Sequence, residues 1–131
     1  MEEERQKNKI QDFKDLIAWQ KGHQLVLMIY KITKEFPREE QFGLVNQLRR
    51  AAVSITSNIA EGFSRGSYKD KSKFYSMALG SLTEVQNQIL ISRDVGYTRL
   101  EIFNQVNELT IEVNKIINGL IKSSNLIHNK P

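Results

Sequence analysis

The sequence predicts an all-α protein that folds as an antiparallel, up-down-up-down four-helix bundle. Apolar residues recur at spacings of three and four along four long segments, which is the period of a helix that packs on one side. No segment shows the sustained alternation of apolar and polar residues that is typical of strands. Breaks fall near Pro37, Gly62 and Gly96. The connections are therefore short, and we expect consecutive helices to run in opposite directions.

The first helix is predicted at about residues 12–35. Its middle, LVLMIY, is apolar at six consecutive positions, so we expect this helix to be covered on more than one side. Pro37 disfavours helical backbone at the residue before it and ends the segment. Glu39 and Glu40 follow, where their charges suit the N-terminus of a second helix.

The second helix is predicted at about residues 40–61. A seam with spacings of 3, 4, 3 and 4 indicates packing of the coiled-coil type, formed by Val45, Leu48, Ala52, Ile55 and Ile59. Gly62 stands where a left-handed residue would close the helix.

The third helix is predicted to begin after Ser67, which caps it together with Asp70, and to end at Gly96. Thr98 and Glu101 have the spacing of a capping box for the fourth helix. The apolar stripes of the two helices are Phe74, Ala78, Leu82, Val85 and Ile89, and then Ile102, Val106, Leu109, Val113, Ile116 and Leu120. We expect the bundle to span residues 12–121, with flexible segments at 1–11 and 122–131.

Composition and motifs speak against several functional classes. The chain has no cysteine, which excludes disulfides and zinc thiolate sites and fits a reducing compartment. No run of about 18 apolar residues is present, and the polar N-terminus is not expected to be a secretory signal. The two histidines lack the spacing of a metal site, and no nucleotide-binding or hydrolase motif occurs. We therefore predict no enzymatic activity, no metal and no cofactor.

The excess positive charge is concentrated in one stretch. Between residues 49 and 73, six cations stand against only Glu61 and Asp70, a net +4 that equals the charge of the whole chain. Such a concentration is typical of a surface that binds a polyanion, although lysines that only aid solubility would give the same pattern. The candidate nucleic-acid-binding residues are Arg49, Arg50, Arg65, Lys69, Lys71 and Lys73.

Three other polar residues are candidates for structural or oligomer contacts: Asn58, Glu61 and Glu84. Asn58 and Glu84 lie beside apolar positions, where each would form an inter-helix hydrogen bond or contribute to a ligand site. The row Arg50, Ser54, Ser57 and Glu61 is either a solvated face or a surface with short side chains that another subunit approaches. Gly80 and Ser81 would also permit close helix approach. We expect self-association.

The combination of several motifs resembles a known family. These motifs are Trp19, Phe36-Pro37, QLRRA at residues 47–51, NIAEG at 58–62, Gly80-Ser81, Glu84 and Gly96-Tyr97. From about Phe13 to Leu120 the chain resembles the four-helix-bundle proteins named for open reading frames within 23S rRNA intervening sequences. The resemblance implies a bacterial, cytoplasmic bundle without known catalytic activity that assembles as a homopentamer.

The resemblance also bears on partners. The accessory protein of diversity-generating retroelements, a related basic pentamer, binds nucleic acid and a reverse transcriptase, which implies Arg49, Arg50 and Arg65 as candidate phosphate contacts. Our functional hypothesis is that the chain binds RNA or DNA through a basic surface without strong sequence specificity. The alternative is an oligomeric scaffold for a protein partner such as a reverse transcriptase, without nucleic-acid contact.

Overall fold

The computed structural model describes residues 10–128, which form four α-helices and no strand. The helices are α1 (Ile17–Thr33), α2 (Leu44–Ser64), α3 (Tyr68–Asp94) and α4 (Leu100–His128). Short 3₁₀ turns at Phe13–Asp15 and Arg38–Glu40 precede α1 and α2. The predicted all-α class and the number of helices are confirmed for this part of the chain.

Pairs of contacting residues show that neighbouring helices are antiparallel. Between α2 and α3, Ser54 bonds with Ser81 and Phe63 with Lys71, so residue numbers rise in one helix as they fall in the other. The same opposed order holds between α1 and α2, for the pairs Gly22–Thr56 and Thr33–Arg49, and between α3 and α4, for the pairs Ser72–Asn125 and Gln86–Thr110. Between α1 and α4, Lys21 pairs with Glu112, and Ile32 lines the same pocket as Ile102. Each helix packs against two neighbours, in the order α1, α2, α3, α4 around the bundle.

The predicted apolar stripes of α2 and α3 supply much of the core. All five seam residues of α2 are buried, and so are Ala78, Leu82, Val85 and Ile89 of α3. In α4, by contrast, only Val106 and Val113 of the predicted stripe are buried, together with Phe103 and Ile117, which the predicted stripe did not include. The apolar run in α1 is only partly covered within one chain. Leu25, Val26 and Ile29 are buried, whereas Leu27 is exposed.

The start of the second helix differs from the prediction. Glu39 and Glu40 lie in the 3₁₀ turn that precedes α2, and α2 begins four residues later than expected. Glu40 nevertheless serves the N-terminus of α2, because its Oε1 accepts a hydrogen bond of 3.4 Å from the backbone N–H of Leu44. Its Oε2 accepts a hydrogen bond of 3.0 Å from the hydroxyl of Tyr97. This bond to a carboxylate raises the pKa of Tyr97 and links the α1–α2 connection to the α3–α4 connection.

The prediction for Gly62 was wrong. The helix continues to Ser64, and Gly96 is the only described residue with positive φ, at 87°. Gly62 lies inside α2 because α3 approaches closely there. A Cβ atom on this residue would lie 2.7 Å from Cε1 of Tyr75, a side chain that is only 2% exposed. The glycine therefore provides space for an aromatic ring, and its conformational freedom is not used.

The helix ends after residue 62 agree only in part with the predictions. Ser67 caps α3 as expected, since its Oγ accepts a hydrogen bond from the backbone N–H of Asp70. Thr98 does not form the expected capping box with Glu101. Its N–H donates to the carbonyl of Ser92, and its hydroxyl shares a 2.9 Å hydrogen bond with the Ser92 hydroxyl.

The fourth helix is also longer than predicted. Helix α4 continues past residue 121 to His128, and Ser124 is buried. Residues 1–9 and 129–131, which belong to the predicted terminal segments, lie outside the described residues.

Candidate functional site

The adjacent arginines of α2 have different environments. Arg49 is half-buried and joins α2 to the C-terminal end of α1. Its Nε donates to Oγ1 of Thr33 at 2.9 Å, and its guanidinium lies 4.6 Å from the ring centroid of Tyr30. Arg50 is exposed and lines a groove between α2 and α3. Since a helix turns by about 100° per residue, two consecutive side chains face different neighbours. Arg49 is therefore a packing residue.

The other four cations surround the turn that joins α2 to α3, and we call Arg65, Lys69, Lys71 and Lys73 the basic corner. Lys69 and Lys73 are exposed and one helical turn apart, so they share a face of α3. Tyr68, the first residue of α3, is 43% exposed and lies about 100° around the helix from Lys69. Arg65 packs over the ring of Phe74 at 4.4 Å and approaches Glu61 at 3.8 Å, while both charged groups stay largely exposed.

Lys71 differs from its two neighbours in the basic corner. Its Nζ donates to the carbonyl oxygen of Phe63 and lies 5.2 Å from the centroid of that ring. Burial lowers the pKa of its ammonium group. A positive charge near the N-terminus of α3 is unfavourable for the dipole of that helix. The same charge lies at the C-terminus of α2, where it is favourable, and the ammonium group satisfies a backbone carbonyl that has no partner within α2. Lys71 is therefore committed to the turn itself.

The six predicted cations do not form one surface. Arg50 and Arg65 are 15 residues apart in α2 and its cap, which corresponds to about 22 Å along the helix axis. The basic corner instead lies beside the C-terminal part of α4, because the hydroxyl of Ser72 donates to Oδ1 of Asn125 at 2.8 Å. Lys122, exposed and one turn before Asn125, adds a cation at this end of the bundle. Sequence analysis missed Lys122, since only the tertiary fold places it there.

A polar groove between α2 and α3 is the second feature of interest. We call it the α2–α3 groove, and it has a volume of about 460 Å³. Its lining consists of Asn46, Gln47, Arg50, Ala51, Ser54, Ser81, Glu84 and Gln88. The hydroxyl of Ser81 donates to Oγ of Ser54 at 2.8 Å across the helix pair. Ser81 therefore marks a close approach, as predicted, whereas Gly80 is exposed and has no atom within 4 Å of a Cβ position.

The three polar candidates have separate environments. Asn58 is half-buried and donates to Oγ and the carbonyl oxygen of Ser54. These bonds lie within α2, so the expected direct inter-helix bond is made by Ser54 and Ser81 instead. Glu61 is exposed beside Arg65, and Glu84 is exposed on the wall of the α2–α3 groove. The structure thus does not bring these residues together.

Residues 10–128 show no sign of a metal site or of a membrane-spanning helix. No group of three or more potential metal-ligating residues occurs there. His23 is stacked on Trp19 with ring centroids 4.7 Å apart, which indicates a packing role. Within the same range, no helix has an apolar stretch of the length needed to cross a bilayer.

Comparison with known proteins supports one family. No curated protein matches the chain at a significant level. A solved structure, described as a protein of unknown function from the S23 ribosomal protein family of Bacteroides thetaiotaomicron, is similar, with a TM-score of 0.76 and 24% sequence identity. The similarity covers 83% of this chain and 98% of that one, and it supports the fold. The family model described as "23S rRNA-intervening sequence protein" matches residues 14–119. The chain therefore belongs to the 23S rRNA-intervening sequence protein family.

Proposed function

We propose that the chain is a non-enzymatic helical-bundle protein that binds nucleic acid, RNA or DNA, through the basic corner. The observation that carries this proposal is the exposure of Lys69 and Lys73 on one face of α3. The ring of Tyr68, in the same first turn of the helix, is exposed as well. Neither lysine takes part in a salt bridge among the described residues. Free cations can neutralise phosphates, and an exposed aromatic ring can stack on a base. A cytoplasmic location, which the family resemblance implies, is part of the same proposal.

Only some of the predicted cations are included in the proposed binding surface. Arg65, Lys69 and Lys73 are the direct phosphate contacts, Lys122 extends them, and Lys71 positions the turn. Arg49 is left out because its guanidinium is held against α1. Contacts from a few lysines carry no base-specific information, so weak dependence on sequence is expected.

Charge reversal at the basic corner tests the proposal. The double variant Lys69→Glu/Lys73→Glu is expected to bind a fluorescent single-stranded RNA at least about tenfold more weakly, because two attractive contacts become repulsive. Fluorescence anisotropy over a salt series should also show that the magnitude of the slope of log K against log salt falls by about 1.4, since each phosphate contact on a single strand contributes about 0.7. The matched control is Lys31→Glu/Arg99→Glu, which changes the net charge equally at the opposite end of the bundle. A slope near zero in the wild type, or an equal loss in both variants, would contradict the proposal.

A second candidate function, a self-associating scaffold, is favoured by an apolar hollow between α1 and α4. This hollow of about 290 Å³ is lined by Ile10, Leu16, Ile17, Ala18, Ile116, Gly119, Leu120 and Ser123. Ile17, one of the lining residues, is 59% exposed in the single chain, and the surface of the hollow is almost wholly apolar. Covering this surface with another copy would remove apolar area from water. The resemblance implies five copies.

Light scattering tests the second candidate. We expect a mass of several chains for the wild type and a mass near one chain for Ile17→Glu, because a buried unpaired carboxylate would oppose association. Leu100→Glu is the control, since Leu100 is equally exposed at 61% but lies away from the hollow. A wild type that is monomeric at high concentration, or an Ile17→Glu variant that assembles normally, would rule the hollow out as an interface.

A further inference from the structure

The α2–α3 groove carries two opposite charges at the same level of the bundle. The Ser54–Ser81 hydrogen bond fixes which residues face each other across the groove. One helical turn further along both helices lie Arg50 on one wall and Glu84 on the other. The salt bridges within the described residues do not include this pair. The groove therefore holds an exposed guanidinium and an exposed carboxylate that do not neutralise each other directly.

A buried acceptor without a partner lies one turn beyond Glu84. Gln88 lines the same groove, and its Oε1 is buried and has no hydrogen-bond partner in the structure. A buried polar atom that lacks a partner destabilises the protein, so such atoms in native proteins are usually satisfied by another group. Because this oxygen is buried, a rotation of the Gln88 side chain is needed to bring it into the groove, where an N–H or O–H donor of a ligand would satisfy it.

These features select a class of ligand. Arg50 favours a carboxylate through paired N–H donors, and Glu84 favours an ammonium group. After rotation of its side chain, Gln88 would add an acceptor for an N–H group. Polyanions fit poorly, because Glu84 repels phosphates and the groove offers one cation. Apolar ligands fit poorly as well, since most of the lining is polar. We propose that the α2–α3 groove binds a small zwitterion, a molecule with one carboxylate and one ammonium group such as a free α-amino acid or a short peptide.

The groove lies far from the basic corner, so the proposed zwitterion binding does not depend on the proposed nucleic-acid binding. Arg50 lies about 22 Å along α2 from Arg65, so a ligand of amino-acid size in the groove does not reach the corner. The volume of about 460 Å³ has room for an amino acid or a dipeptide. Failure of nucleic-acid binding would leave this proposal intact, and the reverse also holds.

Titration with simple zwitterions tests the proposal. Two-dimensional ¹H–¹⁵N NMR spectra of the full chain would be recorded with glycine and with glycylglycine, and separately with acetate and with methylammonium, which carry only one of the two charges. We expect saturable shift changes confined to amides of the groove with at least one zwitterion, and at least about tenfold weaker binding of the single-charge compounds. The comparison of glycine with glycylglycine distinguishes a free amino acid from a peptide as the ligand.

Three variants complete the experiment. Arg50→Gln and Glu84→Gln replace exposed side chains and are each expected to weaken zwitterion binding about tenfold or more, with an unchanged melting temperature. Gln88→Met removes the unpartnered acceptor, so it should raise the melting temperature of the free protein while weakening binding. Absence of any saturable change with both zwitterions would overturn the proposal. Equal binding of acetate, or binding unaffected by the Arg50 and Glu84 variants, would overturn it too.

Discussion

Replacing Gly62 with leucine is expected to lower the free energy of unfolding by about 3 kcal/mol. Even the first side-chain atom has no room, because a Cβ would lie 2.7 Å from Cε1 and 2.9 Å from Cδ1 of Tyr75 and 3.1 Å from Cβ of Phe74. Tyr75 is only 2% exposed, so a displaced ring would have to move within the packed interior of the bundle. Helices α2 and α3 must separate locally to accept the new side chain, and apolar contacts along their shared seam are lost as a result.

Gly80→Leu is the matched control for this prediction. Gly80 is also helical, but it is exposed and a Cβ there meets no atom within 4 Å. Leucine has a higher helix propensity than glycine, so this variant should be more stable than the wild type by about 0.7 kcal/mol. Thermal denaturation followed by circular dichroism would measure both, and the Gly62 variant should melt roughly 10 °C below the wild type. Two variants that change stability in the same direction would refute the assigned role of Gly62.

Removing the Arg49 side chain should destabilise the bundle without affecting the basic corner. Arg49→Met loses the hydrogen bond to Thr33 and the contact with the Tyr30 ring, while it retains an apolar stem of similar length. Since the guanidinium is only half-buried, the expected loss is about 1–2 kcal/mol of unfolding free energy. Urea denaturation would measure it, with the slope m unchanged because the folded state remains compact.

The neighbouring substitution Arg50→Met provides the control for Arg49. Arg50 is exposed, and its replacement should change the unfolding free energy by less than about 0.5 kcal/mol. The two variants have the same net charge, so any general electrostatic effect is common to both. If Arg50→Met proved as destabilising as Arg49→Met, the assignment of a packing role to Arg49 alone would be wrong.

Local patterns predicted most of the fold. The seam from Val45 to Ile59 is periodic, and burial of such a stripe requires only that another helix covers it. The cap at Ser67 and the left-handed Gly96 also depend on residues close in sequence. The prediction that Gly62 ends the helix was wrong because glycine occurs both at helix ends and at sites where two helices approach closely. Only the position of Tyr75 on another helix decides between the two roles.

The candidate site was less predictable because the role of a cation depends on its partners. Arg49 and Lys71 looked like surface charges in the sequence. Their partners are a hydroxyl of α1 and a carbonyl at the end of α2, which no local pattern reveals. Gln88 was not singled out at all, since the lack of a hydrogen-bond partner is a property of the packed helices. Sequence analysis thus located the charge-rich region but could not divide it into packing, turn and exposed cations.

The arrangement of α2 and α3 has a consequence for how the chain folds. The contacts Lys71–Phe63, Tyr75–Gly62 and Ser81–Ser54 join residues separated by at most 27 positions, whereas Lys21 and Glu112 are 91 positions apart. Closing a short loop costs less entropy than closing a long one. The connection between α2 and α3, residues 65–67, is also shorter than the connections at residues 34–43 and 95–99. We therefore expect the central hairpin to assemble first and to act as the template on which the outer helices dock. During synthesis, this hairpin can form before the ribosome has released the last helix.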